Sequence, residues 1–252
     1  MGLGNTHLEF LKLIKDKIKD NSENKKLKMV SAGYPDIMCQ KDHLTNLFGD
    51  QCVEGLKFRD DSDKVIKWHA MDKIMLGVYE SYEFFEKIGI ELTVLDIATL
   101  RGGEIIADLN APINIELEGK FDIVLDPGTV EHCFNIAQAM VNFLSMAKID
   151  AYIYHSNPLF MFNHGFYNLN PTFYNDFYVD NGHSIAAIFG VKSYSDETRP
   201  YFEDKFSLPY TERKKIKNVE DSGIHVIAQK RSDNYPKWPI QTKYKIFHKS
   251  KK

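Results

Sequence analysis

The sequence predicts an α/β fold, a doubly wound sheet of seven mostly parallel strands in one domain. Three observations favour this class. Short apolar segments alternate with longer stretches, an order typical of strands connected by helices. Several apolar segments end in an acid or just before one, which places polar groups at the carboxyl ends of strands. The chain of 252 residues is long enough to bury one large core.

The first elements are an amphipathic helix and a strand. Residues 6–19 carry Leu8, Leu11 and Ile14 at helical spacing with lysines between them, so they predict a helix that covers a sheet edge. Residues 28–36 predict the first strand. It ends in a turn, where a glycine permits close backbone approach and a proline ends the ladder.

Two segments of different character connect the first strand to the second. Residues 37–64 are polar and longer than an ordinary connection, so they predict a loop that covers a ligand. Residues 65–88 show a broad apolar face with helical period and stop at Gly89. They predict the first crossover helix.

The rest of the chain predicts six more strands and one more helix. The strands are residues 91–97, 104–110, 121–126, 151–155, 185–189 and 224–228. The helix spans about residues 130–146. Residues 157–182 form an aromatic-rich insert that is either the wall of a binding pocket or a small extra hydrophobic core. The sequence therefore predicts one domain. It consists of a helical segment at residues 1–26, a core at 27–230 and a lysine-rich tail at 231–252.

Composition excludes several classes of function. The net charge of −3, with 27% charged and 43% hydrophobic residues, provides no basic field for nucleic acid. Cys39, Cys52 and Cys133 lack metal or redox spacing, so we expect buried thiols in a reducing, cytoplasmic compartment. No apolar segment is long enough for stable membrane insertion. The amphipathic first helix and the aromatic content are compatible with a homodimer.

Residues 121–135 are the most informative stretch of the sequence. An apolar strand runs into Asp126, a Pro-Gly turn and then Glu131 and His132. This order predicts a small-molecule site, because strand ends and the helix starts that follow them offer unpaired N–H groups. Glu131 and His132 either face the cleft or cap the next helix.

The residues Gly33-Tyr-Pro-Asp36, Asp96, Asp108-Leu-Asn110, Asp126-Pro-Gly-Thr-Val-Glu-His132 and His164-Gly-Phe-Tyr167 follow one another in this order. Together they resemble a class I S-adenosyl-L-methionine (SAM)-dependent methyltransferase, with a Rossmann-like fold, over residues 27–230. The chain is more narrowly similar to methyltransferases of bacterial surface-polysaccharide biosynthesis, including those of capsule sugars and O-methyl phosphoramidate groups. It departs from the family after the first strand, where a single glycine replaces an acid followed by Gly-x-Gly.

The resemblance implies SAM as cofactor and assigns residues to its parts. Asp96 would accept hydrogen bonds from the ribose hydroxyls. Asp108 and Leu109 would meet the adenine edge. Each acid is alternatively a plain turn or cap residue. The remaining assigned residues would surround the methionine portion and its sulfonium, and they are Gly33, Tyr34, Asp126, Pro127 and Gly128.

The resemblance also implies a methyl-transferring enzyme (EC 2.1.1) with a small-molecule acceptor. A sugar hydroxyl would need a base, for which His132 and His164 are the candidates, whereas a phosphate-like oxygen would need only orientation. No ligand spacing in the sequence requires a metal. A non-catalytic SAM-binding partner subunit and an N-methyltransferase are the alternatives. An NAD(P) oxidoreductase would need a G-x-G-x-x-G turn, which the sequence lacks.

Overall fold

A computed structural model describes residues 2–19, 26–69, 71, 75–99, 101–192, 201–205 and 221–249. The chain divides into two units, Met1–Ala107 and Asp108–Lys252. Each unit has its own strands, helices and buried side chains. The assignment of the whole chain to one domain stays a prediction.

In the first unit, the described residues form two small parallel sheets and four helices. The strands are β1 (Gly2–Leu3), β2 (Leu27–Ala32), β3 (Asp36–Ile37), β4 (Ile90–Asp96) and β5 (Ile105–Ile106). The helices are α1 (Asn5–Lys19), α2 (Lys41–Phe48), α3 (Ser62–Trp68) and α4 (Ser81–Lys87), with a 3-10 turn at Asp50–Cys52. The order β5-β4-β2 is parallel throughout, and β1 pairs in parallel with β3.

The amphipathic helix predicted near the amino-terminus is confirmed as α1. Leu8, Leu11 and Ile14 are buried on one side of it, whereas the lysines between them are at least partly exposed. Each buried leucine or isoleucine contributes about 1.5–3 kcal/mol relative to an exposed one. Packing of this apolar face therefore stabilises the helix.

The long loop predicted over residues 37–64 is wrong, because much of this segment is helical. It contains β3, α2, a 3-10 turn and the first residues of α3. Leu44 and Cys52 are fully buried, and the polar residues of α2 occupy its outer side. The polar residues on the outer side of α2 explain why the sequence of this segment predicts a loop.

The single crossover helix predicted over residues 65–88 is also wrong. The segment holds the end of α3 and all of α4, and between these helices Tyr79 forms isolated β-bridges to Ile37 and Phe58. Gly77 lies directly against the Phe58 ring, so that an added Cβ would stand 2.3 Å from Phe58 Cγ. The apolar residues here cover an aromatic contact instead of continuing one helical face.

In the second unit, the described residues form one five-stranded sheet and three helices. The strands are β6 (Phe121–Asp126), β7 (Ala147–Phe160), β8 (Ser184–Lys192), β9 (Tyr201–Lys205) and β10 (Ser222–Gln229). The helices are α5 (Ile136–Met146), α6 (Pro171–Asp180) and α7 (Thr242–Lys249), with 3-10 turns at Ile115–Leu117 and Val130–His132. The order is β6-β7-β10-β8-β9. β6 and β7 are parallel, and β10 is antiparallel to β7 and β8.

The predicted α/β class with seven mostly parallel strands is confirmed. The seven predicted strands correspond to β2, β4 and β5 of the first unit and to β6, β7, β8 and β10 of the second. Within the second unit β7 and β8 run in the same direction, because both are antiparallel to β10. The strand β9, which pairs with β8, is additional.

The helices of the second unit differ from the prediction in three places. The helix predicted over 130–146 begins later, at α5, where the Asn135 side chain accepts a hydrogen bond from Gln138 N–H. Residues 157–182 include the end of β7 and all of α6, which connects β7 to β8. The tail after residue 231 is not only solvated chain, because it contains α7.

The three cysteines are buried and free, as the sequence predicts. Among the residues that the structure describes, no helix has the length and apolar character needed to cross a bilayer.

Candidate active site

The turn after β6 is shaped by the carboxylate at the end of that strand. Asp126 Oδ1 accepts hydrogen bonds from the backbone N–H groups of Thr129 (2.9 Å) and Val130 (3.1 Å). Gly128 adopts a φ of 95°, which a glycine permits without strain. The chain then enters the 3-10 turn Val130–His132, which buries the Glu131 side chain and leaves His132 exposed.

Asp126 also anchors a buried polar network. Its Oδ2 accepts from His155 Nδ1 at 2.8 Å and from Asn157 Nδ2 at 3.0 Å. His155 Nε2 lies 2.6 Å from the Tyr178 hydroxyl. Because a carboxylate can only accept hydrogen bonds, we assign the ring proton of His155 to Nδ1. Its Nε2 then accepts a hydrogen bond from the Tyr178 hydroxyl.

The two tyrosines of α6 stay neutral in this network. Burial, reinforced by the nearby carboxylate of Asp126, raises the pKa of Tyr174 and of Tyr178 well above the ordinary tyrosine value. Tyr174 donates its hydroxyl to Asn157 Oδ1. Asn157 is thus bonded at both ends of its amide.

Glu131 connects this buried network to the surface. Its side chain is 1% exposed, and Oε2 accepts from Asn157 Nδ2 at 2.9 Å. Its Oε1 has no hydrogen-bond donor among the described residues. That oxygen lies 3.6 Å from His164 Nε2 and 3.9 Å from His132 Nε2.

The two histidines in front of Glu131 face solvent. Their side chains are 49% (His132) and 47% (His164) exposed, and their ring centroids are 5.3 Å apart. The Glu131 carboxylate raises the pKa of His164 above its usual value, although burial opposes this shift. The two candidate bases of the sequence therefore lie together, with one buried acid behind them.

The loop that carries His164 docks closely on the turn after β6. Phe166 N–H donates to the Glu131 carbonyl at 2.9 Å. A Cβ on Gly165 would stand 3.0 Å from both Glu131 Cγ and the Glu131 carbonyl oxygen. A side chain at this position would crowd Glu131, and the close approach of the glycine holds His164 near Glu131.

The other predicted residues of the second unit are Asp108 and Leu109, which closely follow β5 in sequence, and Pro127, which follows β6. Asp108 is exposed, and its Oδ1 accepts from Asn110 N–H (2.9 Å) and Asn110 Nδ2 (2.8 Å), which lowers the pKa of Asp108. Leu109 is buried, and Asn142 Nδ2 donates to its carbonyl at 3.1 Å. Pro127 is buried beside the turn that Asp126 shapes. Asn142 was not among the residues predicted from the sequence. An amide within a mostly apolar helix is the one feature of the sequence that could have indicated its role.

In the first unit, the predicted residues Gly33 and Tyr34 follow β2. Gly33 has a φ of 85°, and its N–H donates to the Leu95 carbonyl at 2.6 Å. Tyr34 is buried, donates its hydroxyl to Glu80, and packs under the Arg59 guanidinium at 4.7 Å. Burial, with the contact to Glu80, raises the pKa of Tyr34. Tyr34 is therefore a packed residue of this unit.

Asp96 ends β4, where the resemblance places the ribose acid. Its Oδ1 accepts from Ile97 N–H at 2.7 Å and from Ala98 N–H at 3.4 Å, and the residue is partly exposed. One carboxylate oxygen thus shapes the turn after β4. The prediction for Asp96 and the turn interpretation are compatible, because they use different oxygens.

The aromatic side chains of residues 157–182 fall into two groups. Tyr174, Phe177 and Tyr178 of α6 are buried, so they form core, whereas Phe162 and Phe166 of the preceding loop are 95% and 63% exposed. The part of this segment that can meet a ligand is the loop, which also carries His164.

The sequence was compared with known proteins. No protein-family model matches it, and no curated protein matches it. Its fold is similar to that of solved methyltransferase structures. The CMeT domain of the citrinin polyketide synthase is 10% identical over 89% of this chain and 52% of that chain, with a TM-score of 0.45. The chain thus spans about half the length of that structure.

Two further structures cover most of both chains. A SAM-dependent methyltransferase from Archaeoglobus fulgidus is 12% identical over 88% of this chain and 94% of that chain, with a TM-score of 0.45. A 1,6-didemethyltoxoflavin-N1-methyltransferase from Burkholderia thailandensis, solved with S-adenosylhomocysteine (SAH), is 9% identical over 90% of each chain, with a TM-score of 0.42. The likeness to these structures is one of fold.

Proposed function

We propose that this chain is a SAM-dependent methyltransferase that methylates an oxygen of a small sugar, nucleotide-sugar or phosphoramidate intermediate of surface-polysaccharide biosynthesis. The positions of two acids support the cofactor part of the proposal. Asp96 is the last residue of β4, and Asp108 closely follows β5. Strand ends of this kind are where α/β sheets bind ligands.

The donor and acceptor groups at these strand ends fit SAM in part. Oδ2 of the partly exposed Asp96 is available for a ribose hydroxyl, and Oδ2 of the exposed Asp108 suits the adenine amine. Asp126 does not fit a ligand role, because it is fully buried and both of its oxygens are used.

When bound, SAM would supply a methyl group whose bond to sulfur breaks as its bond to the acceptor oxygen forms, with SAH as the leaving group. The residues of this chain position that oxygen and accept its proton. With the Nε2–H of His164 directed at Glu131 Oε1, its Nδ1 keeps a lone pair for the proton of an acceptor hydroxyl. The buried carboxylate stabilises the imidazolium that forms. For an anionic phosphoramidate oxygen, the imidazole N–H groups would donate hydrogen bonds instead.

The observation that carries the proposal is the buried Glu131 carboxylate behind two solvent-facing imidazoles. A structural acid with its own partners would not need both histidines in front of it. His132 serves the same reaction by binding the acceptor beside His164, since their rings are adjacent.

The cofactor part is tested by calorimetric titration with SAH. Wild-type protein is expected to bind SAH with micromolar affinity, and Asp96→Asn should weaken binding at least tenfold, since it removes the charge that ribose hydroxyls prefer. The matched control is Glu91→Gln, which removes a charge from an exposed position on the same strand. Absence of SAH binding by the wild-type protein would refute the cofactor assignment.

The catalytic part is tested by following SAH release with monosaccharides, nucleotide sugars and a phosphoramidate as acceptors. His164→Ala should lower kcat by about 100-fold or more on a hydroxyl acceptor, in line with the usual contribution of a general base. His43→Ala, a change of a histidine in the first unit, is the control. Retained SAH binding without turnover on any acceptor would favour the non-catalytic partner subunit, and turnover on an amine would favour the N-methyltransferase.

A further inference from the structure

The cluster of Glu131, His132 and His164 has the geometry of a metal site. Each residue offers one ligand atom, and all three atoms lie within 4.8 Å of one another. The two distances from Glu131 Oε1 to the imidazole Nε2 atoms are 3.6 and 3.9 Å. Ligands about 2.1 Å from a tetrahedral zinc ion are about 3.4 Å from one another, so small side-chain rotations would close the site.

The carboxylate in this cluster has an unsatisfied oxygen. Glu131 Oε1 is inaccessible to solvent and accepts no hydrogen bond from any described residue. A buried carboxylate oxygen without a donor is unfavourable, and a cation in front of it removes the penalty. The two histidines are beyond hydrogen-bond distance from this oxygen, which leaves space between the three side chains.

The surroundings hold the cluster in place from behind. Asn157 donates to Glu131 Oε2 and is itself held by Asp126 and Tyr174. Hydrogen-bonded carboxylate ligands of this kind are typical of metal sites, where outer contacts fix the orientation of the ligand. The close approach at Gly165 brings in the third ligand. Among the residues that the structure describes, this is the one group of three such ligands.

We propose that Glu131, His132 and His164 bind one divalent first-row metal ion, with Zn²⁺ as the best match to two imidazoles and a carboxylate. Three protein ligands leave a coordination position open, as in catalytic sites. Because both histidines face solvent, that position is accessible to an acceptor oxygen. The inference goes beyond the proposed methyl transfer, and a bound ion would give the imidazoles a ligand role in place of the role of base.

The test is a calorimetric titration of the full-length, metal-stripped protein with ZnCl₂, together with visible absorption of the Co²⁺-loaded protein. Wild-type protein should bind one ion per chain. His132→Ala and His164→Ala should each weaken binding at least tenfold, and the double variant should lose stoichiometric binding. Both changes are at exposed positions, and circular dichroism will verify folding. Glu131→Gln keeps the shape of the acid and should also weaken binding at least tenfold.

Two results would overturn the inference. One is absence of saturable binding of one ion by the wild-type protein, and the other is equal affinity in the double histidine variant. His43→Ala changes a histidine outside the cluster and should bind as wild type does. SAH titrations of the same metal-stripped samples separate the two proposals, because cofactor binding without ion binding would refute only the metal site.

Discussion

Replacement of Asp126 by Asn should destabilise the protein by about 3 kcal/mol, because the carboxylate is buried and accepts four hydrogen bonds. An asparagine carbonyl can replace Oδ1 and keep the two backbone donors of the turn. The amide NH₂ would replace Oδ2 and meet two donors, from His155 and Asn157. A tautomer change of His155 recovers one contact, but its Nε2–H then faces the Tyr178 hydroxyl, which has to accept instead of donate.

The magnitude follows from the contacts on the Oδ2 side. Two hydrogen bonds to a charged group contribute about 1.5–3 kcal/mol each, and a partial rearrangement returns some of this. Breaking a buried charged pair costs about 3–5 kcal/mol. The matched control is Asp122→Asn on the same strand, where the ion pair to Lys148 is partly exposed and contributes about 1 kcal/mol or less.

Urea unfolding of Asp126→Asn and Asp122→Asn, followed by far-UV circular dichroism, measures the difference. With an m value of about 2–3 kcal/mol per molar urea, the midpoint of Asp126→Asn should fall by about 1 M and that of the control by much less. Equal shifts in the two variants would refute the assignment of Asp126 as the anchor of the network. At low urea, the folded Asp126→Asn protein should bind SAH within threefold of wild type, because this carboxylate faces inward.

Three further changes test other contacts. Gly165→Ala should lower the free energy of unfolding by about 1–3 kcal/mol, since its Cβ would crowd Glu131. Gly4→Ala should lower it less, because the nearest atom to an added Cβ there is 3.9 Å away. Equal shifts in melting temperature would contradict this. Burial lowers the pKa of His7 from 6.5 to about 4. Between these two pH values the unfolded chain binds a proton that the folded chain excludes. The free energy of unfolding should therefore fall by up to about 3 kcal/mol as the pH drops from 6.5 to about 4. In His7→Asn, which keeps an acceptor for the Gly4 N–H, urea unfolding at pH 7 and pH 4.5 should show no such loss; a persistent loss would assign it elsewhere. Asn142→Ala removes a buried amide that bonds two backbone carbonyls and should cost about 2–3 kcal/mol, and a change below 0.5 kcal/mol would show that these bonds are replaceable.

The strands could be predicted from the sequence because buried parallel strands are short apolar runs. The segment 121–126 has the predicted bounds of β6, and its burial is nearly continuous. Helical period is less reliable where apolar residues pack locally. Residues 65–88 showed that period, yet Gly77 has to lie against the Phe58 ring, and this contact depends on a residue outside the segment.

The missed strand β9 has a physical reason as well. Its sequence, residues 201–205, mixes two aromatics with three charged residues. The partner strand β8 supplies its backbone hydrogen bonds, and this pairing is visible only in the folded chain. An edge strand of this kind has no continuous apolar run for sequence analysis to detect.

The candidate site was predictable in its residue types but not in their roles. Asp126 was a ligand candidate because an acid after a strand usually faces the cleft, yet it shapes the turn by accepting two backbone N–H groups. That turn decides which of the next two polar residues points inward, so Glu131 is buried and His132 is exposed. The partner His164 comes from a loop that docks on Glu131 through the Phe166 N–H and the close approach of Gly165. The sequence could not predict this pairing, because the contact joins two segments far apart in the chain and forms only on folding.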